Sequence, residues 1–384
     1  MSAVNIVVMK KEGQDRKSYS DALAAQGFNV SFFGAIESTF ELLAELKPPV
    51  FLMFSDTLEE TQLAVFLQSL EKKNQDYLHF KVMITKELTA PMYALASDVS
   101  ICKLLKSDLS PEQIAAEIKN LYANVDVQSQ ISQALTEISE SSDELTTDQK
   151  IRILHKEHPE NIDAKIEYGH LLIREELYND AELLAAGMLN KLPQNVRAMG
   201  LLSRVALKKG NLQGAIDLLN EANALSSESS TRLCELGELY FEKGNYEKSK
   251  EHFEKASKLD PENKDAIKGT GRCMIEIGPA SEAISFFQKS MTEDELASFF
   301  NNTGVLLIKG DKFEEGIRLY NVGLQSLKSN KYKPHILFNT AIAYKKNGDL
   351  EKALEKLQAV LKVDPKFEKA KLHIAGIKKA MSKA

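Results

Sequence analysis

Short continuous apolar runs punctuate the first third of the chain, at 4–9 (VNIVVM), 28–33 (FNVSFF), 50–54 (VFLMF), 79–84 (HFKVMI) and 100–105 (SICKLL). Polar segments with helical spacing separate them, at 15–26, 36–46, 57–73, 88–96 and 110–123. Runs of this length suit strands covered on both faces, and their alternation with helices predicts an α/β, doubly wound parallel sheet over 1–124. The last of these helices has a readable start, with Ser110 as cap, Pro111 in the first turn and Glu112 behind it. Beyond residue 160 the pattern becomes all-helical and repetitive. GNYEKSKEHFEKASKLDPENKDA (244–266) returns as GDLEKALEKLQAVLKVDPKFEKA (348–370), three periods of roughly 34 residues later. A small residue, followed twelve positions on by another, recurs six times: Gly169 and Ala181, Ser203 and Ala215, Gly237 and Ser249, Gly271 and Ala283, Gly304 and Gly316, Ala341 and Ala353. Such pairs let two helices approach closely, with Tyr240, Phe253, Phe287, Tyr320 and Tyr344 expected to fill the gaps between. Gly210-Asn211, Gly244-Asn245, Gly310-Asp311 and Gly348-Asp349 mark turns within units.

Composition narrows the classes of function. Lys+Arg 49 against Asp+Glu 55 leaves a net charge of −6, which argues against a general nucleic-acid binder. Cys102, Cys234 and Cys273 are odd in number and contain no CxxC, which excludes a disulfide framework and a Cys-based zinc finger. No apolar stretch approaches membrane-spanning length, and MSAVNIVVMKKE reads as a first strand rather than a signal peptide, so a cytoplasmic protein is expected. Residues 125–161 carry three basic against eight acidic side chains, and their Ser/Thr-rich middle reads as a helical linker or a degenerate repeat. His155 and His158 have HxxH spacing, but Pro159 ends their helix and no ligand cluster follows, so no metal is expected. Gly13, Gly27 and Gly34 form no nucleotide loop, and no Ser sits in a nucleophile elbow. Neither a cofactor nor a catalytic residue is expected, and the chain reads as non-enzymatic.

Five βα units in about 124 residues make a flavodoxin-like order. Their spacing resembles the receiver domain of bacterial two-component response regulators. That resemblance implies an acidic pair after the first strand, a phosphoacceptor Asp ending the third, a hydroxyl after the fourth and a Lys after the fifth. Together these would hold Mg²⁺ and the phosphoryl oxygens. Here Lys10 and Lys11 replace the acidic pair and Phe54 the phosphoacceptor, with Asp56 two residues further on. Thr85 and Lys103 fall at the hydroxyl and lysine positions, or are ordinary strand-end residues. Two cations repel Mg²⁺ and Phe accepts no phosphoryl group, so a degenerate receiver is expected. The alternative is a phosphorylation-switched regulator built on Asp56 and Glu12. Receivers transmit through the face from the fourth helix to the fifth, so the resemblance marks 88–123 for docking or dimerisation. A plainer expectation is that the domain caps the one that follows.

The segment LGELYFEKGNYEKSKEHFEKASKLDP (236–261) and the six small-residue pairs resemble tetratricopeptide (TPR) repeats over about 160–370. Units are set at 162–195, 196–229, 230–263, 264–296, 297–333 and 334–367, with 368–384 as a capping helix and 128–161 open as a seventh unit. The resemblance implies an open all-α solenoid whose first helices line a groove for a peptide segment. Positions three before, one after and four after each small residue are expected to face it. They include Ile166, His170, Glu238, Phe241, Lys268, Arg272, Asn301, Ile308, Phe338 and Lys345. The paired Lys and Asn of chaperone-binding TPR proteins are missing from them. A basic middle of Arg197, Arg204, Lys208, Lys268 and Arg272 predicts an acidic protein or peptide partner with hydrophobic anchors. The chain's own 126–149 is one internal candidate. By resemblance to bacterial receiver–TPR proteins, the chain is expected to be an adaptor or scaffold in signal transduction. A TPR sensor of a signalling peptide is a further reading.

Overall fold

A computed structural model describes residues 4–10, 15–34, 36–58, 62–63, 66–67, 69–70, 80–141, 143–226 and 229–381. Five strands, β1 (Val4–Met9), β2 (Phe28–Phe33), β3 (Val50–Phe54), β4 (Phe80–Thr85) and β5 (Lys103–Lys106), form one parallel sheet in the order β2-β1-β3-β4-β5. This order is consistent with a flavodoxin-like doubly wound domain. The central strands β1, β3 and β4 read as largely apolar runs because both their faces are buried, whereas β2 and β5 are edge strands with partly exposed residues. Along β3, Val50, Leu52 and Phe54 enter a core with Tyr19, Leu23 and Ile114, while Phe51 and Met53 enter another with Leu43, Phe66 and Leu95. The fifth strand starts later than expected. After the helix Ala90–Asp98, Ser100 takes a left-handed φ of 50° and the Ile101 N–H returns to the Ala96 carbonyl. The chain is therefore not extended until Lys103. The helix Pro111–Tyr122 opens on a reciprocal Ser110–Gln113 capping box.

The acidic segment forms two helices, Val125–Glu140 and Glu144–Glu157. Ile131, Ile138, Ile151 and Leu154 pack with Ala164, Tyr168 and Leu171 of the helix Ile162–Arg174, on a different face of that helix from His170. Its apolar face thus packs on the first repeat helix and extends the helical stack.

Six helix pairs follow: Ile162–Arg174 with Tyr178–Lys191, Val196–Lys208 with Leu212–Leu225, Ser230–Glu242 with Tyr246–Leu259, Lys264–Ile277 with Ala280–Ser290, Glu293–Lys309 with Phe313–Ser326, and Lys333–Lys346 with Leu350–Val363. The helix Glu368–Met381 comes last. Packing divides the chain into two compact units, Met1–Arg232 and Leu233–Ala384, so the sheet shares a unit with the first two repeat pairs. The small residues explain the pairing. A Cβ on Gly271 would lie 2.2 Å from Phe287 Cζ, one on Gly304 2.2 Å from Tyr320 Cζ, and one on Gly237 2.8 Å from the Phe253 ring. Where Ser takes such a position its hydroxyl is hydrogen-bonded to the facing helix: Ser203 Oγ donates to the Ala215 carbonyl at 2.9 Å, and Ser249 Oγ to that of Gly237 at 2.7 Å.

Gly210, Gly244 and Gly348 turn the chain within their units at φ of 81°, 77° and 86°. In the fifth unit that left-handed position falls on Asp311, not on Gly310, which comes one residue early. Gly278 stays extended at φ −130° because Pro279 follows it. The fifth unit also begins sooner than expected. Thr292 and Glu295 close a capping box and the helix runs Glu293–Lys309, so a boundary between 296 and 297 falls inside it.

Candidate functional site

At the carboxyl ends of β1 and β3, Lys10 and Phe54 come together as a closed cation–aromatic contact. Lys10 is 7% exposed, and its Nζ lies 3.6 Å from the centre of the Phe54 ring and 4.7 Å from that of Tyr19. The two rings meet edge to face at 5.0 Å. Burial lowers the Lys10 pKa, while the Asp56 and Asp15 carboxylates pull it back up. Asp56 is exposed on the turn Ser55–Thr57, and Thr57 Oγ1 donates to the Met9 carbonyl at 3.3 Å. Thr85 is buried at the end of β4, its hydroxyl donating to the Glu87 carbonyl at 3.1 Å, and it stands in register with Lys106. Lys103 stands opposite Val82 at the start of β5 and pairs with Glu117 at 3.2 Å. The lysine beside Thr85 is therefore Lys106, and Lys103 does not take that role. The later start of β5 moved the strand end onto the second Lys of KLLK. Lys11 and Glu12 lie outside the described residues.

The face marked for docking or dimerisation is in part occupied by the chain's own repeats. Ala94 packs with Val196, Met199 and Ala222. Ser97 Oγ accepts from the Val196 N–H at 3.1 Å, and Asp98 pairs with Arg232 at 2.9 Å, the two side chains being 13% and 6% exposed. Arg232 also donates to Asn223 Oδ1 at 2.6 Å and to the Ser226 carbonyl. Arg197 Nη1 donates to Asp163 Oδ1 at 2.6 Å and to Ser100 Oγ at 3.2 Å. Arg197 is thus a seam residue rather than an open groove cation.

In the same unit His170 Nε2 lies 3.2 Å from Arg204 Nη1. A guanidinium only donates, so His170 accepts and is neutral. Burial, with Arg204, Arg197 and Arg174 nearby, pushes its pKa down to about 4. A histidine whose folded pKa lies below its ordinary 6.5 takes up its proton more readily when unfolded. Its stabilising contribution is complete above pH 6.5 and is lost as pH falls towards about 4. The melting temperature should drop more steeply over that window in the wild type than in His170→Gln, and parallel curves would show that His170 is not responsible. Lys208 is exposed.

Within Leu233–Ala384, Arg272 lies over the Phe241 ring at 4.1 Å and donates to both Glu238 oxygens at 2.8 and 2.9 Å. Phe241, Arg272, Ile275, Leu307 and Leu319 line a small recess together with Glu276, Thr303 and Glu315. Lys268 pairs with Asp265 at 3.4 Å, and Asn301 Oδ1 accepts from Asn339 at 2.8 Å. Phe338 meets Phe367 and His373, each at 5.3 Å, so it belongs to the contact with the last helix rather than to an open anchor site. Lys345 is exposed. Ile166 and Ile308, expected to face the groove, are buried in the helix packing. The basic middle is consequently half neutralised within the chain, through Arg197 with Asp163, Lys268 with Asp265 and Arg272 with Glu238.

Among the described residues no group of three or more His, Cys, Asp or Glu is placed to hold a metal ion, and no helix is long and apolar enough to cross a membrane. Family models described as tetratricopeptide repeat match residues 168–230, 231–263 and 334–367. The chain is 28% identical over 157 residues to BBSome complex member BBS4 of Bos taurus, covering 37% of this chain and 30% of that protein. It is 25% identical over 203 residues to Hsp70-Hsp90 organizing protein 3 of Arabidopsis thaliana, covering 43% and 36%. The chain thus spans about a third of the length of these curated relatives. Among solved structures, the apo form of the quorum sensor NprR from B. thuringiensis aligns with a TM-score of 0.39 at 15% identity, over 68% of this chain and 82% of that one. Residues 168–263 and 334–367 of the chain are tetratricopeptide repeats.

Proposed function

We infer that the chain is a non-enzymatic adaptor whose repeats bind an acidic protein or peptide segment carrying hydrophobic anchors. The observation that carries this reading is the Phe241–Arg272–Glu238 stack on the first helices of the third and fourth repeats, beside a small recess of mixed apolar and acidic lining. Arg272 is held flat and already paired, so an incoming carboxylate exchanges with Glu238 instead of meeting a bare cation. An apolar anchor then enters beside Ile275 and Leu307. A peptide pairing two Glu residues with Phe and Leu anchors should bind the full chain in a salt-sensitive manner. Arg272→Glu should weaken that binding about tenfold, the change of roughly 1.4 kcal/mol expected for one charge-assisted contact. Equal binding of a peptide with Lys in place of Glu would remove the acidic preference.

The sheet domain reads as a degenerate receiver, and the setting proposed for the whole chain is signal transduction in a bacterial cytoplasm. The Lys10 ammonium over Phe54 supports this, because it places a fixed cation where the resemblance would require a divalent metal. Incubated with Mg²⁺ and a small phosphodonor, the chain is expected to remain unmodified. A phosphoryl adduct lost in Asp56→Ala would reinstate the switched-regulator reading. A dimer through the helix Ala90–Asp98 is not part of this proposal, since that helix packs on the repeats.

A further inference from the structure

One turn of the sheet domain, Ser97–Ser100, meets the beginnings of three successive repeat helices. Ser100 Oγ lies 3.4 Å from Asp163 and 3.2 Å from Arg197, in the first turns of Ile162–Arg174 and Val196–Lys208. Ser97 Oγ accepts the N–H of Val196, the first residue of the second of these helices. Asp98 holds Arg232 in the first turn of Ser230–Glu242. Asp163 and Arg197 stand 34 residues apart, so the contact follows the repeat register itself.

We propose that this turn is a brace that fixes the angle between the first two repeats and thereby the shape of the face carrying His170 and Arg204. In a repeat array each unit touches its neighbours alone, so every interunit angle is set pairwise and small departures accumulate along the stack. A rigid turn bonded to repeats one and two adds a restraint from outside the stack. Its chemistry suits that role. The N–H at a helix start has no partner within its helix, and Ser97 supplies one from another domain. The Asp98–Arg232 pair is almost sealed from water, so neither charge can leave the seam without losing its counterion. His170 and Arg204 lie on the two helices that the brace pins, and their pairing across one repeat depends on that angle. The proposal concerns the shape of the face, and only its bearing on binding rests on the adaptor reading.

The test uses the full chain with spin labels at the exposed positions Glu182 and Glu221, and the double variant Ser97→Ala/Ser100→Ala, which removes the contacts to Val196, Arg197 and Asp163 without stranding a charge. The wild type should give a narrow interlabel distance distribution and the double variant one at least twice as wide. Amide exchange in 334–363 should stay the same in both. A second variant, Ser97→Ala, should raise exchange at Val196 and its neighbours about tenfold even if the double variant fails to fold. Distributions of equal width in a folded double variant, or unchanged exchange at Val196 in Ser97→Ala, would overturn the brace. Because neither readout involves a partner, failure of the adaptor reading leaves the result standing.

Discussion

Phe287→Ala is expected to cost about 3–5 kcal/mol of unfolding free energy, the range for deleting a fully buried ring whose site cannot collapse. The ring is completely buried, with Phe286, Phe299 and Phe300 around it at 5.9, 5.4 and 5.1 Å. On its remaining side lies Gly271, which has no side chain to move into the space. Two of these phenylalanines, Phe299 and Phe300, sit on the long helix Glu293–Lys309, whose capping box fixes its start. A cavity there stays open, and the cost approaches the upper part of the range. The opposite fault is smaller: Gly271→Ala forces a methyl into the ring and should cost about 1–3 kcal/mol. Combining Gly271→Ala with Phe287→Leu should cost less than the two separately, because the smaller side chain makes room for the methyl. Denaturant unfolding of these variants checks this, and a loss below about 1 kcal/mol for Phe287→Ala would mean that the helices close over the gap.

The second large effect is at the seam. Arg232→Met should destabilise the unit Met1–Arg232 by about 3–5 kcal/mol, because it leaves the carboxylate of Asp98 buried without a counterion. Adding Asp98→Leu should recover most of the loss. What remains unrecovered measures the Asn223 side chain and the Ser226 carbonyl, which lose the donors that Arg232 supplied. Equal losses in the single and double variants would show that the Asp98 carboxylate is hydrated once Arg232 is gone. A mild loss in the single variant alone would mean the same.

The two halves of the fold were legible for different reasons. β3 and the end of β1 show as apolar runs because they lie between two cores, and the repeats show as small-residue pairs because Phe253, Phe287 and Tyr320 leave no space for a Cβ opposite them. β5 misled because Ile101, an apolar residue in the turn after Ala90–Asp98, extends the run on its amino-terminal side. The seam was out of reach. Ser97, Asp98 and Arg232 are ordinary polar residues, and Asp98 meets Arg232 across 134 positions. The pairing of the groove charges was available and missed. Arg272 with Glu238 and Arg197 with Asp163 are both separated by 34 residues. In a repeat array that separation places side chains face to face, so the spacing alone marks a basic residue one period after an acidic one as a neutralised pair.

The seam also bears on how the number of repeats can change. Solenoids lengthen and shorten by duplication or loss of whole units, which ordinarily leaves the rest of the stack intact. Between Asp163 and Arg232 that freedom is withdrawn. Excising one unit there would shift Arg232 away from Asp98 or remove the Arg197 that Ser100 meets. Loss or insertion of a whole repeat between Asp163 and Arg232 therefore breaks contacts that lie outside the stack itself.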